Sequence, residues 1–200
     1  MASNLSFDQH LNVTSFHEAG HAAILVAFNI DIDRFERLKD GTAQIVPGVT
    51  PASDLHGLYG RILVVRASRH SQKCSPYNTP SIEIESFKTD DPEINKQSQN
   101  LYAMFNKTWT DEKIDYDQFS KELLHVLDEE LNLLYTNKLY RNFIGRVASI
   151  FMETTYMAGP DVTKMVMEQW NLSEATILLS RYSDFITVCT RQPNSTPNSI

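Results

Sequence analysis

Two histidines four residues apart constrain this chain more than any other feature. His17-Glu18-Ala19-Gly20-His21 reads H-E-x-x-H, a spacing that acquires meaning on an α-helix, where positions i and i+4 share one face. The surrounding residues supply such a helix. Phe16, Ala19, Ala23, Val26 and Ala27 recur at three- and four-residue steps, which predicts a helix from Asn12 to Phe28 with Asn29 as its stop. On it, both imidazoles can reach one zinc ion, and Glu18 sits beside the metal-bound water. Zinc lowers the pKa of that water to about 7, and a neighbouring carboxylate can take the remaining proton as hydroxide attacks a carbonyl. The competing reading is an amphipathic helix with one core-packed histidine and a solvated Glu18. Gly20 weighs against it. A mid-helix glycine costs about 1 kcal/mol relative to alanine, so something is expected to approach the backbone closely there.

The rest of the chain reads as mostly helical. Ile32 and Phe35 on one arm, and Ala43, Ile45 and Val46 on the other, flank Asp40-Gly41, a strong hairpin turn. A helix is expected from Ser53 or Asp54 to about Ser71, with Leu55, Leu58, Ile62 and Val65 marking its turns. Cys74 to Thr89, with two prolines, reads as a long loop with one edge strand around Ile82-Ile84, and a helix follows Pro92 to Phe105. Tyr116 to Tyr135 and Lys138 to Thr154 are longer helices. Their apolar stripes run through Phe119, Leu123, Leu127 and Leu131, and through Phe143, Val147 and Phe151. Gly159-Pro160 breaks the chain before short helices at Asp161–Trp170 and Ser173–Val188. The expected fold class is mainly α with a small β-hairpin or sheet (α+β), as one domain over 1–190 with a disordered tail at 191–200.

Composition narrows the function classes. A net charge of −7 leaves no basic surplus for phosphates, so no nucleic-acid partner is expected. The longest apolar run, Ala22 to Phe28, is too short to span a bilayer, and no signal peptide is recognised at the start. Two distant cysteines, Cys74 and Cys189, fit a reducing, cytoplasmic compartment. His56, His70 and His125 read as isolated histidines, Cys74 as a plain thiol, Trp109 and Trp170 as core anchors, and Asp128-Glu129-Glu130 as a solvated face.

Val13 to Val26, VTSFHEAGHAAILV, resembles the peptidase domain of the FtsH-type ATP-dependent zinc metalloproteases, whose helix reads much like VAYHEAGHALV. Leu133 to Glu168 resembles that domain's closing helices: Glu153-Thr154-Thr155, Gly159 and Asp161-Val162 fit its pattern. The second match implies that Asp161 belongs to a helix start, where an N-cap role suffices. The resemblance implies an FtsH-like helical peptidase fold and a third zinc ligand, an aspartate at the start of a later helix. Thr89-Asp90-Asp91-Pro92-Glu93-Ile94 is the comparable stretch. With Asp90 as ligand, Ile94, Ser98 and Leu101 fall on the family's apolar or small positions; Asp91 is the alternative. Pro92 favours a first helical position, making Asp91 the natural N-cap. A third possibility is that both acids only cap and complement the helix dipole.

The chain departs from the family in carrying no Walker nucleotide loop and no membrane span, and Arg66 to Ser71 replaces a family stretch like GGRxAEE. The resemblance places the hairpin where the family presents a sheet edge, so Thr42 to Val46 either binds an extended substrate by strand addition or simply covers the core. The leading expectation is an ATP-independent zinc metalloendopeptidase. His17, His21 and Asp90 hold Zn2+, and Glu18 is the general base. Its substrate is accessible or unfolded polypeptide, with a homo-oligomer or a separate unfoldase as partner. The alternative is a non-proteolytic metal-binding interaction or regulatory module on the same fold, against which the retained Glu18 argues.

Overall fold

A computed structural model describes residues 5–48, 55–108 and 115–170. Its elements in chain order are α1 (Phe7–Ala27), β1 (Ile32–Arg37), β2 (Ala43–Pro47), α2 (Leu55–Gln72), α3 (Pro80–Thr108), α4 (Tyr116–Thr136), α5 (Lys138–Glu153), β3 (Tyr156–Ala158) and α6 (Gly159–Gln169). The fold is mainly α with a small antiparallel sheet, as expected. Ser173–Val188, the 191–200 segment and Trp109 lie outside the described residues.

Helix α1 starts five residues earlier than its apolar periodicity suggests, because Ser6 and Gln9 form a capping box. The Gln9 N–H donates to Ser6 Oγ at 3.3 Å, and the Ser6 N–H donates to Gln9 Oε1 at 2.9 Å. It ends where expected: Asn29 adopts φ 51°, a left-handed conformation asparagine tolerates at a helix end. Ala19, Ala22, Ala23, Ile24 and Leu25 are all buried, so α1 runs through the centre of the core. Gly20 faces α2. A Cβ there would lie 2.8 Å from both the Ala67 carbonyl oxygen and the Ser68 Cα. The close approach anticipated at Gly20 is therefore the backbone of α2.

The hairpin turns at Asp40-Gly41. Gly41 has φ +86°, and Asp40 Oδ1 accepts the Thr42 N–H at 3.0 Å. The sheet order is β2-β1-β3, with every pair antiparallel and an irregularity between Ile32 and Arg34. β3 escapes sequence reading because three residues are too few to show alternation. Gly159 closes the sheet onto α6. A Cβ there would collide with the Ile32 carbonyl, so only glycine lets α6 start against β1. Asp161 lies in the first turn of α6, not at its cap; the N-cap is Ala158.

α4 and α5 bury the expected stripes, with Leu127, Leu131, Phe143, Val147 and Phe151 essentially sealed from solvent. Phe151 stacks on Phe35 with ring centroids 4.1 Å apart, joining α5 to the sheet. Trp170 is a core anchor, packed on Phe143.

The 74–105 segment corrects the sequence reading. No loop or edge strand extends to Thr89: α3 begins at Pro80 and runs through Pro92 to Thr108. Pro80 takes the first helical position that Pro92 was expected to hold, and Thr79 supplies the preceding carbonyl, which accepts the Ile82 N–H at 3.0 Å. Asp91 is therefore an interior helical residue and caps nothing.

Candidate metal centre

α1 brings His17, Glu18 and His21 together, with ligand atoms all within 4.8 Å of one another. Among the described residues no other group of three potential ligands converges in this way. The two imidazoles meet edge to face, and their Nε2 atoms are 3.1 Å apart. Each ring turns its Nδ1 to a protein acceptor. His17 Nδ1 is 3.0 Å from Gln72 Oε1, and His21 Nδ1 is 3.2 Å from the Val64 carbonyl oxygen. The Gln72 amide is itself oriented, because its Nε2 donates to Asn78 Oδ1 at 3.1 Å. These contacts turn the Nε2 atoms of both rings toward each other.

Two imidazole nitrogens this close share a proton or hold a cation between them. Two nitrogens about 2.05 Å from a tetrahedral zinc are about 3.3 Å apart, so the observed separation is close to that of a zinc-bound pair. Burial, reinforced by the nearby charge of His17, holds His21 well below its usual pKa, against the opposing pull of the Val64 carbonyl. At neutral pH His21 is thus the neutral imidazole that a metal requires. Two imidazole donors with oriented Nδ1 partners fit zinc, and the Glu18 carboxylate lies beside them.

Glu18 is only 6% exposed, and such a carboxylate needs partners. Its Oε2 accepts the Ile45 N–H at 2.6 Å. That bond ties the motif helix to β2, which lies at the sheet edge. The sequence reveals His17, Glu18 and His21 but neither Gln72, Val64 nor Ile45. An amide, a carbonyl and a backbone N–H supplied from outside α1 leave no spacing pattern.

Asp90 and Asp91 are both in the interior of α3, ten and eleven residues past Pro80, so neither stands at a helix start as the resemblance implies for the third ligand. The side chain of Asp90 lies outside the described residues. The carboxylate of Asp91 is 64% exposed and paired with Arg69 at 2.5 Å, and it does not join the His17 cluster. Ile94, Ser98 and Leu101 are buried, as expected for the inward face of this helix.

Two other expectations change. His70 is not isolated: it is buried, with Nε2 3.5 Å from Asp128 Oδ1, and its ring lies near Tyr135. Asp128 also accepts from Arg66 Nε at 3.0 Å, so it belongs to a polar network and not to a wholly solvated face. His125 is exposed beside Glu129, and the side chain of His56 lies outside the described residues. Burial pushes the Cys74 thiol up, with Arg141 opposing, which suits an unreactive thiol.

A scan against models of known protein families finds no match to this chain, and a search of curated protein sequences finds none either. Among the described residues, no helix is long and apolar enough to cross a membrane.

Proposed function

We propose that the chain is a zinc-dependent metalloendopeptidase of the FtsH type, acting without ATP on accessible or unfolded polypeptides. The observation that carries this reading is the pair of Nε2 atoms 3.1 Å apart, each aimed by an oriented Nδ1, with a buried carboxylate beside them. When bound, zinc would supply an acidified water and polarise the scissile carbonyl. His17 and His21 would hold the ion through Nε2. Glu18 would take the proton from the water and pass it to the leaving amine.

Asp90 is the proposed third ligand. One observation supports it over Asp91: the Asp91 carboxylate is engaged by Arg69. The edge position of β2 supports docking of an extended peptide along Thr42 to Val46 by strand addition, through backbone groups other than the Ile45 N–H, which Glu18 holds. Substrate would arrive already unfolded or be delivered by a separate unfoldase.

A metal-binding module without peptidase activity is the second reading. It is favoured by the Ile45 N–H bond, which gives Glu18 a structural task independent of catalysis. Zinc-loaded protein incubated with casein separates the two. Cleavage by wild type that disappears in Glu18→Gln supports the peptidase. Full zinc content with no cleavage by either supports the module.

A further inference from the structure

A cleft of about 1320 Å³, lined by none of His17, Glu18 and His21, lies between α1, the C-terminal ends of α2 and α4, and α5. Lys73, Lys138, Arg141 and Arg146 line it, and among the described residues no aspartate or glutamate does. This is unexpected in a chain of net charge −7. Elsewhere Arg34, Arg66 and Arg69 face carboxylates. Lys73, Lys138 and Arg141 have no ion-pair partner among the described residues, while Arg146 donates to the Gln169 carbonyl at 2.8 Å. Like charges gathered in a concave surface without a counter-charge concentrate a positive field where an anion would sit.

The floor is apolar. Phe16 and Ile150 are half-buried there, and Tyr135 is buried with its hydroxyl donating to the Ala67 carbonyl at 3.1 Å. Gly145 borders open space on the α5 side of the cleft, where a Cβ would meet nothing within 4 Å. Asn132 and Asn142 add amides able to pair with a peptide backbone. The volume exceeds the roughly 300–1,000 Å³ typical of small-molecule pockets, which favours an extended ligand. The aromatic rings are sunk in the floor and offer no exposed platform for stacking bases, which disfavours a nucleic acid.

We propose that this cleft binds an acidic segment of a polypeptide. Lys73, Lys138 and Arg141 take its carboxylates, and the floor over Phe16 and Ile150 takes an interspersed apolar side chain. The proposal stands on the cleft alone and holds whether or not the protein is a peptidase.

Calorimetric titration of the full 200-residue chain with a dodecamer of glutamates carrying leucine at every fourth position tests it. A lysine-for-glutamate version of the peptide, pyrophosphate and a dodecanucleotide are the comparison ligands. The acidic peptide should bind, weaken as salt rises, and lose at least about tenfold in affinity in Lys138→Glu/Arg141→Glu. Gly145→Trp should weaken it similarly by filling the cleft. Unchanged circular dichroism and melting temperature in that variant separate blocking from unfolding. Absence of peptide binding, equal binding of the lysine peptide, or equal affinity in both variants overturns the proposal. Binding of pyrophosphate or the oligonucleotide without the acidic peptide overturns it too.

Discussion

The Ile45 N–H donates to the buried carboxylate of Glu18 across 2.6 Å, so the proposed general base is also a tie between helix α1 and the sheet edge. The two roles respond differently to substitution. Glu18→Gln keeps a side-chain oxygen for Ile45 but loses the proton acceptor. It should fold, retain zinc, and hydrolyse an unfolded substrate at least about a hundredfold more slowly than wild type. Glu18→Ala should additionally lose about 1–3 kcal/mol of stability, because a buried N–H is left unpaired. Urea denaturation of the two variants and a casein assay check both statements.

Gln72 acts on the centre through His17. Its Oε1, 3.0 Å from His17 Nδ1, orients that ring. Gln72→Ala should weaken zinc binding by about 10–100-fold, the usual cost of losing such a partner. Gln72→Glu keeps an acceptor for Nδ1 but loses the donation to Asn78, so it should weaken zinc binding less than Gln72→Ala does. Competition against a chromophoric chelator reads both.

The ligand set separates two adjacent acids. His17→Ala should abolish stoichiometric zinc, and Asp90→Ala should reduce it strongly. Asp91→Ala should leave zinc content unchanged, because its carboxylate faces Arg69. Elemental analysis of protein purified without added metal decides. Equal zinc in Asp90→Ala and wild type would remove Asp90 from the site.

What the sequence disclosed follows from the range of each interaction. Asp40-Gly41, Asn29 and the α4 and α5 stripes were legible because a turn, a cap and an apolar face are written in neighbouring residues. The H-E-x-x-H motif was legible for the same reason. α3 was misread because Pro92 in mid-helix removes one N–H bond, a cost that the burial of Ile82, Ile94 and Leu101 along the same helix helps offset. Pro80 carried the better start signal. The pairing of β3 with β1, and the aiming of His17 by Gln72, join residues 55 or more positions apart and follow only from the packing.

Asp128 gives an acid-dependent stability. Burial alone would raise its pKa, but the hydrogen bond with His70 and the charge and hydrogen bonding of Arg66 outweigh it and hold the carboxyl below its usual value. A lowered folded-state pKa gives stability that is present above the unfolded value, near 3.9, and is lost as pH falls through the folded one. The group is 35% exposed, so solvent screening keeps the contribution to no more than about 1 kcal/mol. Asp128→Asn should therefore melt a few degrees below wild type at pH 7. The gap should close progressively on acidification below about pH 4. A gap that persists undiminished well below that pH would mean the loss comes from packing and not from charge.

Gly20 sets the distance between the helix that carries the motif and the helix that orients it. A Cβ at this position would lie 2.8 Å from the Ala67 carbonyl oxygen and 2.8 Å from the Ser68 Cα, both backbone atoms that yield only if α2 moves away from α1. The same helix supplies Gln72 to His17 and the Val64 carbonyl to His21. Alanine is the better helix former by about 1 kcal/mol, so on propensity alone Gly20→Ala should stabilise α1. Overpacking in a close contact costs about 1–3 kcal/mol and should outweigh that gain. Gly20→Ala is thus expected to lower the melting temperature by several degrees and, by pulling both Nδ1 partners out of reach, to weaken zinc binding together with stability. A control at Gly145, where a Cβ meets nothing, should behave oppositely: Gly145→Ala should raise the melting temperature and leave zinc affinity unchanged. Thermal melts and chelator competition on the two variants read the pair. A Gly20→Ala protein as stable as wild type and with undiminished zinc affinity would show that α2 does not hold the two imidazoles in place.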